Sequence, residues 1–111
     1  MSYSVSGNSI TMTRGDTAKI RVDLKYKQTG EVYTPEIGDE IVFTAINPIQ
    51  SQKKIVKSIP IDTLMLRINP EDTRNLPYGQ YLFDIQITFA NGDVDTFITD
   101  GVLNITSEWT E

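Results

Sequence analysis

The chain has 111 residues, no cysteine, no histidine and a formal net charge of −5 from 10 basic and 15 acidic side chains. Disulfide staples, zinc–thiolate sites and thiol nucleophiles are therefore excluded, and the commonest general base and metal ligand is missing. The acidic balance argues against a nucleic-acid binder, which needs cations to displace phosphate counterions.

The length suits one domain over 1–111. A chain of this size buries roughly two thirds of its unfolded surface and folds without metals or cross-links. The hydrophobic fraction of 39% lies below the roughly 45–50% of an average domain, which fits a thin sandwich whose strands each have one wet face. The N-terminus has no basic region leading into an apolar core, so no signal peptide is expected. No apolar run approaches the roughly 18 residues of a membrane span. The starting Met and the length lead us to expect a complete, cytosolically made protein.

In chain order, residues 1–8 are small and polar and read as a loose lead-in. A strand is expected over Ser9–Thr13, a turn at Arg14-Gly15-Asp16, and a second strand over Thr17–Tyr26. There Ile20, Val22, Leu24 and Tyr26 alternate with Lys19, Arg21, Asp23 and Lys25. Residues 28–39 form a long connection with turns at Thr29-Gly30 and Ile37-Gly38-Asp39 and room for a short edge strand at Glu31–Thr34. Glu40–Ile46 is a strand with Ile41, Phe43 and Ala45 inward. Lys53–Ile59 is a charged edge strand, its lysines discouraging pairing with other chains. Thr63–Ile68 is another strand, with Leu64, Leu66 and Ile68 inward.

Asn69-Pro70-Glu71-Asp72 carries helix-start chemistry: a capping residue, a proline at the first position and acids at the positive end. One short helical turn near 70–76 follows. Gln80–Phe89 alternates without a break and is the expected central strand. Asn91-Gly92 predicts a type I′ hairpin turn. Two further strands, Asp93–Thr99 and Val102–Ser107, are separated by Asp100-Gly101. The predicted core is Ile20, Val22, Leu24, Ile41, Phe43, Leu66, Ile68, Tyr81, Phe83, Ile85, Ile87, Ile98, Leu103 and Ile105.

Four features invite a functional reading. Arg14-Gly15-Asp16 spells an integrin-recognised tripeptide, though a Gly-Asp turn between strands is the simpler account. Asn91, Asp93, Asp95 and Asp100 supply oxygens at near-alternate spacing. They lack the calcium-loop glycine (Thr96 stands there) and glutamate (Val102), so a wet hairpin face is the simpler account. Asp84 sits on the polar face of the central strand with no second carboxylate in view. Tyr81, after Leu76-Pro77-Tyr78-Gly79, resembles a tyrosine corner, whose hydroxyl ties back to upstream backbone. No catalytic, cofactor or metal residue is assigned. Charge is uneven: nine Lys/Arg and seven Asp/Glu fall in 1–67, against one Arg and eight acids in 68–111. Such poles favour head-to-tail contacts, although solvated faces explain most charge runs.

The order T-x-x-R-G-D-T, G-D-E-I-V-F-T, D-T-x-x-L-P-Y-G-x-Y-x-F-D-I-Q-I-T and N-G-D-V-D-T-F…G-x-L-x-I-T-x-E occupies Thr11–Thr17, Gly38–Thr44, Asp72–Thr88 and Asn91–Glu108. It resembles small immunoglobulin-like structural domains of phages and prophages of Gram-positive bacteria, and is similar to the N-terminal domain of baseplate upper proteins. The resemblance implies an all-β, immunoglobulin-like Greek-key sandwich of seven or eight antiparallel strands. It further implies a non-enzymatic virion structural or accessory protein of the tail, baseplate or head, without cofactor, nucleic acid or membrane. Such a protein docks on other virion proteins and on copies of itself. Lys53, Lys54, Lys57 and Trp109 are the candidate contacts, Trp being favoured at interface hot spots, although Trp109 folding back onto the sandwich is the simpler account. The alternative is a carbohydrate- or cell-surface-binding module using Tyr3, Tyr33, Tyr78 and Trp109 as exposed stacking platforms.

Overall fold

Alternation of apolar and polar residues becomes strand after strand in the computed structural model. It describes residues 3–6, 8–25, 30–49 and 52–107, with 3–6, 99 and 100 described as backbone alone. The elements are β1 (Tyr3–Ser6), β2 (Ser9–Thr13), β3 (Ala18–Arg21), β4 (Glu40–Ile46), β5 (Lys53–Ile59), β6 (Met65–Ile68), α1 (Pro70–Thr73), β7 (Gly79–Thr88) and β8 (Val94–Thr106). They make a six-stranded sheet in the order β1-β2-β8-β7-β4-β5 and a two-stranded sheet of β3 and β6. The molecule is all-β apart from α1.

Both sheets contribute to one cluster of buried apolar side chains. Ile41, Phe43 and Ala45 of β4 are buried, as are Tyr81, Phe83, Ile85 and Ile87 of β7. The two strands pair Phe43 with Ile85 and Ala45 with Phe83, so their inward faces coincide. The rings of Phe43 and Phe83 meet with centroids 5.0 Å apart. Ala18 and Ile20 of β3 and Leu66 and Ile68 of β6 supply the opposite layer. Each of the larger side chains contributes about 1.5–3 kcal/mol by leaving water.

Several expectations need correction. The lead-in is not loose throughout, because Tyr3–Ser6 forms an antiparallel edge strand on β2 with Ser6 opposite Ser9. Ladder hydrogen bonds come from backbone, so small polar side chains do not prevent them. The sheet is not wholly antiparallel: β2 runs parallel to β8, with Ile10 beside Leu103 and Met12 beside Ile105. That pairing buries Ile10 and Met12, which the predicted core omits, as it omits Ile55 and Ile59 of β5.

The second strand ends early. Val22 and Leu24 are buried as alternation demands, but the β3 ladder stops at Arg21 opposite Met65. The cause lies in the partner. Leu64 has φ +52°, alone among described non-glycine residues in being positive, and it closes a turn by donating to the Pro60 carbonyl at 2.9 Å. β6 therefore starts at Met65 rather than Thr63, and Leu64 is only half-buried. Tyr26, expected on the inward face, and Thr29 of the next turn lie outside the described residues. The expected edge strand at Glu31–Thr34 reduces to one bridge, Lys25 to Val32. The helical turn is also short, ending at Thr73.

Asn91-Gly92 is not a type I′ turn, since Asn91 does not have positive φ. Gly92 donates to the Phe89 carbonyl at 2.8 Å, Phe89 donates to the Asp93 carbonyl at 2.7 Å, and Gly92 has φ +95°. That is a three-residue loop closed by a glycine bulge. Nor does Asp100-Gly101 split the last segment: β8 runs unbroken from Val94 to Thr106. Its register with β7 slips between Phe83 and Ile85 and again between Ile85 and Gln86. A bulge re-aims the residues beside it. Phe97 thereby turns into the core, and the expected Ile98 is half-buried.

Candidate docking edges

Three parts of the surface carry the candidate chemistry. The first is β5, at the end of the large sheet as expected. Ile55 and Ile59 point inward while Lys53 and Val56 are exposed. Lys54 donates to the Gln52 side chain at 3.1 Å. Lys57 is different: its ammonium lies 3.0 Å from the Asp72 carboxylate, with the two side chains 23% and 20% exposed. It is a tie between β5 and α1. Asp72 also accepts the Asn69 backbone N–H at 2.7 Å, which supplies the helix start with its missing partner. Trp109, the fourth candidate contact, lies outside the described residues.

The second is the flank of β3 that β6 leaves open. Val22 donates to the Leu64 carbonyl at 2.8 Å, so the even-numbered residues aim their backbone groups toward β6. The odd-numbered ones aim away from it, because successive residues of a strand alternate in direction. Among the described residues, the backbone groups of Arg21 and Asp23 meet no partner. Beside them runs a cleft of about 390 Å³ lined on its floor by Ile10, Phe83, Ile85 and Ile98. Arg21, Asp23 and Lys25 form its lip, with their side chains exposed. The flanking face is basic: Lys19 stands directly opposite Arg67 on β6. Sequence reading found the alternation of Lys19, Arg21, Asp23 and Lys25 but not the gap beside it, which depends on strand order.

The third is the corner between α1 and β7. The Tyr81 hydroxyl donates to the Pro77 carbonyl at 2.8 Å, so the expected tie to upstream backbone is present. Burial pushes the Tyr81 phenol above its ordinary pKa. Arg14 packs on the same corner, its guanidinium 4.1 Å from the Tyr78 ring centre. It donates to the Tyr78 hydroxyl at 2.8 Å and to the Leu76 carbonyl at 3.3 Å. Gly15 donates to the Thr73 hydroxyl at 2.8 Å. The Arg-Gly-Asp turn is thus fastened to the domain through its first two residues.

Sequence reading missed Asp39. Its carboxylate accepts the Tyr33 hydroxyl, the Glu36 N–H at 2.9 Å and the Ala90 N–H at 3.1 Å. Those bonds, led by Glu36 and then Tyr33, hold the carboxyl below its ordinary pKa. The residue fastens the 30–39 loop to the β7–β8 hairpin. The available signal was an Asp directly after Gly38 at a strand start, a common place for a side chain to bond local backbone.

The sugar-platform expectation loses one of its members. Tyr33 is half-buried, stacked on Phe97 and edge-on to Phe89. Tyr78 is exposed, but Arg14 covers one face of its ring. The Tyr3 side chain and Trp109 are outside what is described. Asp84 is half-buried opposite Thr44. Asn91 and Asp93 bond each other in the hairpin loop. Among the described residues, no group of three acidic, His or Cys side chains is placed to hold a metal ion, and no helix is long and apolar enough to cross a membrane. No protein-family model and no curated protein sequence matches this chain.

Proposed function

We propose that this chain is a non-enzymatic phage or prophage virion protein, of the tail, baseplate or head, that works by docking a rigid sandwich onto other virion proteins and onto copies of itself. The observation that carries the docking reading is that the backbone groups of Arg21 and Asp23 meet no partner among the described residues, beside a cleft floored by Ile10, Phe83, Ile85 and Ile98. An open strand edge next to an apolar floor accepts another chain's strand through ladder bonds and alternate side-chain pockets. The motif order from Thr11 to Glu108 supports the virion setting by its likeness to immunoglobulin-like phage domains.

The finer fold assignment is part of the same reading. An immunoglobulin-like Greek key accounts for β3 and β6 lying in one sheet while β4, β7 and β8 lie in the other. It also accounts for a tyrosine corner after a short helical turn. The test is affinity capture of the tagged chain from lysates of induced lysogens, with mass spectrometry of what is retained. Retention of tail, baseplate or head proteins is the expected result. Capture of none, together with a specific hit in a glycan-binding screen, would replace this reading by the carbohydrate module.

A further inference from the structure

The open slot beside β3 has a chemistry that selects its occupant. Resting on the docking reading, we infer that the slot takes an extended segment of a partner protein in which apolar and acidic residues alternate. Three observations converge on this. Arg21 and Asp23 offer N–H and C=O groups without partners among the described residues, which an added strand satisfies whatever its side chains. Ile10, Phe83, Ile85 and Ile98 give an apolar floor, so every second residue of the incoming strand is apolar. Arg21 and Lys25 on the lip, with Lys19 and Arg67 on the same outer face, set the charge of the intervening residues.

The charges also argue against the simplest competitor. Asp23 is the one acid on the strand face between Lys19 and Lys25. A second copy presenting its β5 edge would bring Lys53 and Lys54 toward Arg21 and Lys25, like charge against like. An acidic strand instead meets opposite charge at Arg21 and Lys25. From Arg21 to Lys25 the slot is about 13 Å long at strand rise, so a short peptide suffices as a probe.

The probe is an end-capped, fluorescently labelled peptide of seven residues alternating glutamate and valine; its control replaces glutamate by lysine. Anisotropy is expected to show saturable binding of the first peptide. The control should bind at least about tenfold more weakly, as should the first peptide to Arg21→Glu. Asp23→Pro deletes the N–H aimed into the slot and no bond made among the described residues, and should abolish binding while keeping the melting profile. Because that variant can lose its fold, hydrogen exchange on the unaltered protein gives a second reading: the Arg21 and Asp23 amides should become protected when peptide is added. Equal binding of both peptides, no binding, or unprotected Arg21 and Asp23 amides overturns the inference. Self-association abolished by Asp23→Pro does the same, since a second copy would then fill the slot. The two readings fail separately. Virion proteins captured equally by the unaltered chain and by Asp23→Pro sink the slot and leave docking intact. Peptide binding without capture of any virion protein does the reverse.

Discussion

The Phe83 ring occupies the space above Gly101 so closely that a Cβ on Gly101 would lie 2.5 Å from its Cζ atom. The two residues face each other in the β7–β8 ladder. Glycine is required there for close approach, and not because the chain turns. The ring cannot swing away freely, since it is 5% exposed and packed on Phe43. Gly101→Ala is expected to destabilise the fold by about 1–3 kcal/mol through overpacking. Urea unfolding of the variant checks this; an unchanged midpoint would mean that Phe83 moves without cost.

Arg14 fastens the turn after β2 to the α1–β7 corner through one ring face and two hydrogen bonds. Arg14→Ala is expected to cost about 1–2 kcal/mol from these contacts together. Arg14→Lys recovers only part, because an ammonium lacks the planar fork. Thermal melts of both variants decide it. A solid-phase integrin assay is expected to show no binding, as Arg14 is engaged within the domain.

Tyr81→Phe removes the bond to the Pro77 carbonyl, at an expected cost of about 1 kcal/mol. The phenol's pKa is raised in the folded state. Its contribution is therefore fully present below about pH 10 and declines as pH rises through the folded value. Unfolding measured from neutral to strongly alkaline pH should show the stability advantage of the unaltered protein over Tyr81→Phe narrowing; a constant advantage contradicts this.

Asp39 has its pKa lowered, first by the Glu36 N–H and then by the Tyr33 hydroxyl. The sign is opposite to that of Tyr81. Its contribution is present above about pH 4 and lost as pH falls through the folded value. Asp39→Asn should be less stable than the unaltered chain at pH 7, and the difference should shrink in acid. Denaturant midpoints at the two pH values test it, and exchange of the Ala90 amide should accelerate in the variant.

Asp72 joins two roles, accepting the Asn69 N–H and pairing with Lys57. Asp72→Ala is expected to cost about 1–2 kcal/mol, mostly from the lost helix-start partner. Lys57→Ala should cost about 0.5 kcal/mol, the range of a partly solvated ion pair. Equal losses from the two would show that the ion pair dominates.

Much of the architecture was legible in local chemistry. Ser9–Thr13, Glu40–Ile46 and Lys53–Ile59 were each readable to the residue, because alternation and flanking turn residues bound them. The Pro70 helix start and the Tyr81 tie were readable because each depends on neighbours a few positions away. Gly101 was misread because a glycine demanded by a facing ring looks the same in sequence as one demanded by a turn. Phe97 was missed because a bulge turns it inward beside Ile98, which packs on the core only half-buried, and nothing in the residues around it announces the bulge. The open flank of β3 was invisible for a different reason: Lys19, Arg21 and Lys25 read as an ordinary wet face until strand order leaves a gap beside them.

The amino-acid order by itself determined which side of each strand is apolar, since side chains alternate with every residue and burial follows hydrophobicity. Tertiary structure alone decided the parallel β2–β8 pairing, the slips along β8 and the two-strand width of the second sheet. The physical reason is that ladder bonds are made by backbone groups common to nearly every residue. A strand's sequence states how it faces the core, and the competition among all strands for neighbours settles whom it touches.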